Sequence, residues 1–169
     1  MTRTIFVALT FFLLLAWSTA LPQKKKVGTE TPYEMYVTKL PAVDKVEILA
    51  IEGLNREDID CTRPNIICSK YPGKILASKT LVDGDAKRLG NLWRKLETGN
   101  GAACFSPAYV LRFYRKDKLV LMTDVCFHCC AISLPANGNA SICGNEETIN
   151  NFRTLVTTEV PFPKRDKND

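Results

Sequence analysis

The chain has 169 residues with 23 basic and 18 acidic side chains, a net charge of +5, seven cysteines and a single histidine. A charge this small does not indicate a nucleic-acid partner, and we expect none. The length fits one domain with a single hydrophobic core, and the sequence shows no phosphate loop or dinucleotide-binding glycine pattern.

The N-terminus predicts a signal peptide over residues 1–20. Arg3 precedes an apolar run at 5–17, and Ser18 and Ala20 are the small residues of a cleavage site. This run is short for a membrane span, so we expect a secreted or periplasmic chain with no span in its mature part; an uncleaved anchor is the alternative. In an oxidising compartment most cysteines form disulfides, and an odd number leaves at least one unpaired.

The remaining sequence predicts one α+β domain at 45–163, between a flexible N-terminal arm at 21–44 and a polar tail at 164–169. Apolar alternation and β-rich composition predict about five strands, which lie at 45–52, 74–81, 109–114, 119–125 and 130–134. Two amphipathic patterns predict helices with N-caps at Asp83 and Asn145. We therefore expect an antiparallel sheet packed against two helices and stapled by disulfides.

Two features of the connections follow from local sequence. Cys61 and Cys68 flank the turn residues Pro64 and Asn65, which favours a local disulfide worth about 2–3 kcal/mol by chain entropy. Asn139 begins an Asn-Ala-Ser acceptor, which would be glycosylated if the host is a eukaryote and is otherwise only a loop.

The predicted hairpin near the middle of the chain holds four of the seven cysteines and the only histidine. Pairing Arg115 with Lys118 across its turn would place Tyr109 opposite Asp124, on a mostly apolar face. The same register would place Phe113 opposite Val120 and Leu111 opposite Met122. We expect Asp124 to pair with a nearby arginine or tyrosine.

Extended outward, this register sets Cys104 opposite Cys129, where a disulfide or a shared metal could form. Pro107 has no N–H for the ladder, so a bulge near Ala108 could favour Cys126 instead. The partner of Cys104 stays open at this point.

The segments Cys104-Phe-Ser-Pro-Ala-Tyr-Val-Leu-Arg112 and Val125-Cys-Phe-His-Cys129 resemble a pattern of uncharacterised bacterial proteins, C-F-x-P-R-[HY]-x-[IL]-R followed by I-C-F-x-C. The resemblance covers residues 71–162 and implies no established activity. It departs at Ala108, where the family has arginine, and at His128, where glutamate is common.

The resemblance also implies a division of the cysteines. Cys104, Cys126 and Cys129 belong to the shared pattern, and the four extra cysteines can form the pairs Cys61–Cys68 and Cys130–Cys143. The unpaired thiol would then belong to the shared three.

Three chemistries compete for this cluster. Cys104, Cys126 and Cys129 could bind zinc with His128, Cys130 or Cys143 as the fourth ligand, although His128 cannot join Cys129 without a tight turn. Cys126 and Cys129 could act as a redox dithiol, but they follow a strand and not a helix N-terminus. A hydrolytic mechanism would have to use His128. We therefore predict a non-enzymatic exported domain without a cofactor, which binds an unknown protein or small ligand or has a structural role. Zinc binding is the alternative prediction, and oxidoreductase activity is the third.

Overall fold

The structure, a computed structural model, describes residues 30–100, 104–135 and 138–163. The predicted signal peptide at 1–20, the first part of the predicted arm at 21–29 and the predicted polar tail at 164–169 lie outside these residues. No helix in the described part of the chain is long and apolar enough to cross a membrane.

One antiparallel sheet of seven strands runs through the described residues in the order β2-β3-β1-β4-β5-β6-β7. The strands are β1 (Lys45–Gly53), β2 (Ile66–Ile67), β3 (Gly73–Val82), β4 (Tyr109–Arg115), β5 (Lys118–Cys126), β6 (Ala131–Leu134) and β7 (Gly138–Ser141). The antiparallel α+β prediction is confirmed, but the count of about five strands was too low. The additional strands, β2 and β7, lie at the sheet edges and are too short or too polar to show apolar alternation.

Two α-helices pack on one face of the sheet: α1 (Asp83–Arg94) and α2 (Glu146–Glu159). Asn145 is the N-cap of α2 as predicted, because its side chain accepts the backbone N–H of Thr148 at 2.9 Å. The predicted cap of α1 was wrong by one residue: Val82 is the N-cap and Asp83 is already helical. A five-residue π-helical turn (Glu34–Thr38) and a short 3₁₀ helix (Arg56–Asp58) complete the helical segments of the described chain.

The main core lies between the helices and the sheet. Trp93 of α1 is fully buried, with its ring centroid 5.1 Å from that of Phe113 in β4 and 5.7 Å from that of Phe152 in α2. Its indole N–H donates to the carbonyl of Tyr36 at 2.9 Å, which satisfies the one polar group of the side chain.

The arm predicted at 21–44 is part of the core from residue 30 onward. Val37, Leu40 and Val43 are each at most 4% exposed and belong to the main core between the helices and the sheet. The prediction of a flexible segment missed them because Pro41 interrupts the pattern and three apolar residues are too few for a periodic signal.

The register of the β4–β5 hairpin also differs from the prediction. Arg115 pairs with Lys118 as expected, but a bulge shifts the ladder by one residue, so that Phe113 pairs with Leu121 and Tyr109 with Val125. A one-residue shift exchanges the two faces of a strand. Asp124 therefore leaves the helix-covered face and points to the opposite face of the sheet.

That opposite face carries a smaller apolar cluster made of Leu49, Ile51, Ile67 and Val110, with Ile75 and Met122 packed against it. Ile67 belongs to the connection at 54–72, which runs from β1 to β3 and reaches across to β5 through Ser69. The sheet is thus covered by helices on one face and partly by this connection on the other.

Candidate functional site

The turn between β5 and β6 positions two of the shared cysteines. Cys126 ends β5 and Cys129 lies in the turn, where its backbone N–H donates to the Cys126 sulfur at 3.1 Å. Cys130 takes a left-handed conformation with φ of 48°, which reverses the chain without a glycine. The tight turn that the sequence did not suggest is therefore present, and neither Cys126 nor Cys129 is at a helix N-terminus.

Helix α2 fixes this turn through Phe127. The Phe127 ring packs edge-on against Tyr109 and Phe152, with centroid distances of 5.6 Å in both cases. Arg153 donates from Nη2 to the carbonyl oxygen of Phe127 at 3.3 Å. The backbone that carries the two cysteines is therefore held by aromatic packing and by a charge-assisted hydrogen bond.

Cys104 brings a third sulfur to the same place. Its Sγ lies 2.9 Å from Sγ of Cys129, which makes Cys129 the contact partner among the two candidates. Cys126 and Cys129 are 1% and 2% exposed, whereas Cys104 is exposed to solvent. The three thiols therefore form a cluster with one accessible member.

Hydrogen bonds give the three thiols different acidities. Burial raises the pKa of Cys129, but hydrogen bonds from the Cys104 and Cys126 thiols and from the Ser106 N–H outweigh burial and hold its pKa below the usual value. The pKa of Cys104 is raised because its thiol donates to Cys129. Burial, followed by its hydrogen bond to Cys129, raises the pKa of Cys126. Cys129 is therefore the most acidic of the three thiols in the reduced cluster.

The other four cysteines form two pairs at disulfide geometry. The Cα atoms of Cys61 and Cys68 are 5.8 Å apart, and those of Cys130 and Cys143 are 5.5 Å apart. The first pair closes a loop within the connection at 54–72. The second joins the β5–β6 turn to the segment that leads into α2.

His128 does not join the sulfurs. It is exposed on the turn while Cys126 and Cys129 are buried. The described residues contain no group of three or more His, Cys, Asp or Glu side chains that could hold a metal ion.

A second polar site, which the sequence did not reveal, surrounds Asp124 on the opposite face of the sheet. Asp124 is 1% exposed, and its two carboxyl oxygens contact the hydroxyls of Ser69 and Ser133, the latter at 2.5 Å. Ser133 also accepts the backbone N–H of Asp124 at 2.8 Å. Burial raises the pKa of Asp124, with the hydrogen bonds of the two serines acting in the opposite direction. Ser69 and Ser133 could have been found only with the correct hairpin register.

Proton counting around Ser69 favours the neutral form of Asp124. The single hydroxyl proton of Ser69 has two acceptors, the carbonyl of Tyr71 at 2.8 Å and the carboxyl of Asp124. Ser69 can donate to only one of them at a time, whereas a proton on Asp124 that is donated to Ser69 would satisfy both contacts. A cavity of about 410 Å³ opens beside these groups, with Lys70 among its lining residues.

A larger cavity of about 790 Å³ lies elsewhere, in the groove between α1 and α2. Lys87, Arg88 and Lys95 line it together with the half-buried Leu92 and Leu155. The groove is therefore basic with apolar patches, and it is separate from both the cysteine cluster and Asp124.

Asn139, the predicted glycosylation acceptor, is exposed on the edge strand β7. Its side-chain amide donates to the Tyr71 hydroxyl at 3.1 Å.

No family model, no curated protein and no solved structure matches this chain.

Proposed function

We propose that the protein is an exported domain with a binding or structural role, not an enzyme, and that three disulfides hold its architecture. The observation that carries this proposal is the placement of the cysteines. Two pairs lie at disulfide geometry, and Cys104 contacts Cys129 at 2.9 Å. A movement of about 1 Å brings these two sulfurs to the bond length of ~2.05 Å. The basic groove between α1 and α2 offers a surface for a partner.

Each of the three disulfides lies in a segment with little backbone hydrogen bonding to the sheet. Cys61–Cys68 closes a polar connection, and Cys130–Cys143 ties down the β5–β6 turn. Cys104 precedes β4 in a segment without secondary structure. A Cys104–Cys129 bond would close a loop with a sequence separation of 25, for which the chain-entropy model gives about 3–4 kcal/mol.

Thiol counting and peptide mapping test this proposal. We expect one free thiol in the denatured, unreduced protein, carried by Cys126, because it is the cysteine left when three pairs have formed. Non-reducing peptide maps should contain a Cys104–Cys129 link. Three or more free thiols would contradict the proposal.

Zinc binding by Cys104, Cys126 and Cys129 is the second candidate, and it requires these side chains to move, because as they stand they form no metal-binding group. The observation that favours it is the tight turn, in which the N–H of Cys129 donates to the Cys126 sulfur while a third sulfur approaches. The two candidates differ in a simple measurement. Stoichiometric zinc in the purified protein, lost in a Cys126→Ala variant, would favour the metal site over the third disulfide.

A further inference from the structure

Cys129 lies against both other cysteines of the cluster: its sulfur is 2.9 Å from that of Cys104, and its backbone N–H donates to the Cys126 sulfur at 3.1 Å. Of the three, Cys104 is the one exposed to solvent. The proposed function leaves the buried Cys126 as a free thiol beside a Cys104–Cys129 bond. A thiolate attacks any disulfide sulfur that it can reach, so the Cys126 thiol can exchange with the Cys104–Cys129 bond.

We propose that the third disulfide exchanges between two positions with Cys129 as the shared partner, and that one of the two states presents Cys104 as an exposed nucleophile for a disulfide-bearing partner. The proposal rests on the proposed function, since it needs the Cys104–Cys129 bond. It adds an activity, thiol–disulfide exchange at the surface of the domain.

The exchange is redox-neutral. The Cys126 thiolate attacks Sγ of Cys129, so that a Cys126–Cys129 bond forms and the Cys104–Cys129 bond breaks. The electron pair leaves on Sγ of Cys104, and this thiolate takes up the proton that Cys126 released to solvent. No oxidant or reductant is consumed.

The released Cys104 can then react outward. After its thiol has lost the proton again, the Cys104 thiolate attacks one sulfur of an external disulfide and forms a mixed disulfide. The other sulfur is expelled as a thiolate, which takes up that proton. Cys126 and Cys129 are almost fully buried, so an external disulfide meets only Cys104. The partner class is therefore a molecule with an accessible disulfide, either a small thiol in its oxidised form or a protein.

The geometry supports both bridges. The Cys104 and Cys129 sulfurs are 2.9 Å apart, and Cys126 packs with Cys129 in one buried cluster. The turn that joins Cys126 and Cys129 is closed by the N–H contact to the Cys126 sulfur and held by Phe127. The segment at 104–108 lacks secondary structure, so Cys104 can move away when its bond breaks.

Maleimide labelling of the folded, unreduced protein tests the proposal. We expect the label on Cys104, and non-reducing peptide maps of the labelled protein should contain a Cys126–Cys129 link. Glutathione disulfide in place of maleimide should add one glutathione at Cys104. A label on Cys126, or no label under conditions where the denatured protein reacts, would overturn the exchange.

Two variants complete the test. Cys126→Ala removes the attacking thiol, so labelling of Cys104 should be lost while the circular dichroism spectrum is unchanged. Labelling as fast as in the wild type would overturn the proposal. Cys104→Ser should leave no free thiol of the cluster in the denatured protein, because Cys126 pairs with Cys129; two free thiols would overturn it.

These outcomes separate the two proposals. A wild-type count of one free thiol without native labelling of Cys104 leaves the proposed function intact and overturns the exchange. A wild-type count of three free thiols overturns the third disulfide and, with it, the exchange.

Discussion

Replacing the buried carboxyl Asp124 with asparagine should remove a pH dependence from the folding stability. Burial raises the pKa of Asp124 in the folded state above its ordinary value. A carboxyl with a raised folded-state pKa contributes stability that is fully present below its unfolded pKa and is lost as the pH rises through its folded pKa. Asp124 therefore favours the fold at acidic pH, opposite to a carboxylate in an ion pair.

The expected changes in the free energy of unfolding follow from the hydrogen bonds of Asp124. In Asp124→Asn the amide can donate to Ser69 and its oxygen can accept from Ser133, as the protonated acid does, so we expect a change within about 2 kcal/mol at pH 7. Asp124→Ala leaves both hydroxyls without this partner and should cost about 2–4 kcal/mol. For a domain of this size that cost lowers Tm by roughly 8–16 °C.

Thermal unfolding followed by circular dichroism at pH 7 and at pH 4.5, at constant ionic strength, measures the effect. The difference in Tm between the wild type and Asp124→Asn cancels the other titrating groups. We expect this difference to shift in favour of the wild type on acidification. A constant difference, or a shift in favour of the variant, would refute a raised pKa of the buried carboxyl.

Three further changes to the scaffold are tested by the same thermal melts. Replacing both Cys61 and Cys68 with alanine should cost about 2–3 kcal/mol, because the disulfide closes a short loop; an unchanged Tm would argue against the bond. Asn145→Ala removes the N-cap of α2 and should cost about 1 kcal/mol, with Asn145→Ser as the tolerated control. Gly144→Ala would place a Cβ 2.8 Å from that of Glu97 and should cost about 1–3 kcal/mol; a neutral result would show that the two segments are not packed this closely.

The parts of the fold that sequence predicts are those with a local cause. The N-cap Asn145 is followed by acidic residues and an apolar stripe, all within a few positions, and the structure has the cap as predicted. The tight connection of the hairpin is likewise local, and the pairing of Arg115 with Lys118 is correct. Such signals act before any tertiary contact has formed.

The hairpin register could not be predicted because its sequence carries no alternation where the bulge lies. Residues 119–122 are Leu, Val, Leu and Met, and any of them suits an apolar face. The choice depends on the surroundings: Leu121 and Val125 fill the space beneath the helices, whereas Asp124 meets Ser69 and Ser133. Ser69 is far from the hairpin in sequence, and Ser133 belongs to the next strand, β6.

The cysteine cluster was predicted only in part for a similar reason. The resemblance to the uncharacterised bacterial proteins implied which three cysteines belong together, but the left-handed Cys130 that closes the turn is a backbone conformation without a residue signature. The exposure of Cys104 against the burial of Cys126 depends on Phe105 and on the packing of Phe127 against α2. The solvent accessibility of the cysteine thiols decides whether the cluster is a structural disulfide or a reactive site. This accessibility depends on tertiary contacts.

The two polar sites of the molecule are joined through the segment that carries Cys104. Phe105, the next residue, packs on Tyr71 with a centroid distance of 4.6 Å, and the carbonyl of Tyr71 accepts the Ser69 hydroxyl that also contacts Asp124. A bond between Cys104 and Cys129 fixes Phe105, and through it the end of the connection that covers Asp124. Release of Cys104 would remove this restraint on Phe105, while a Cys126–Cys129 bond would hold the β5–β6 turn. Exchange in the cluster would therefore loosen the cover of the sheet on one face without disturbing the helix-packed core on the other.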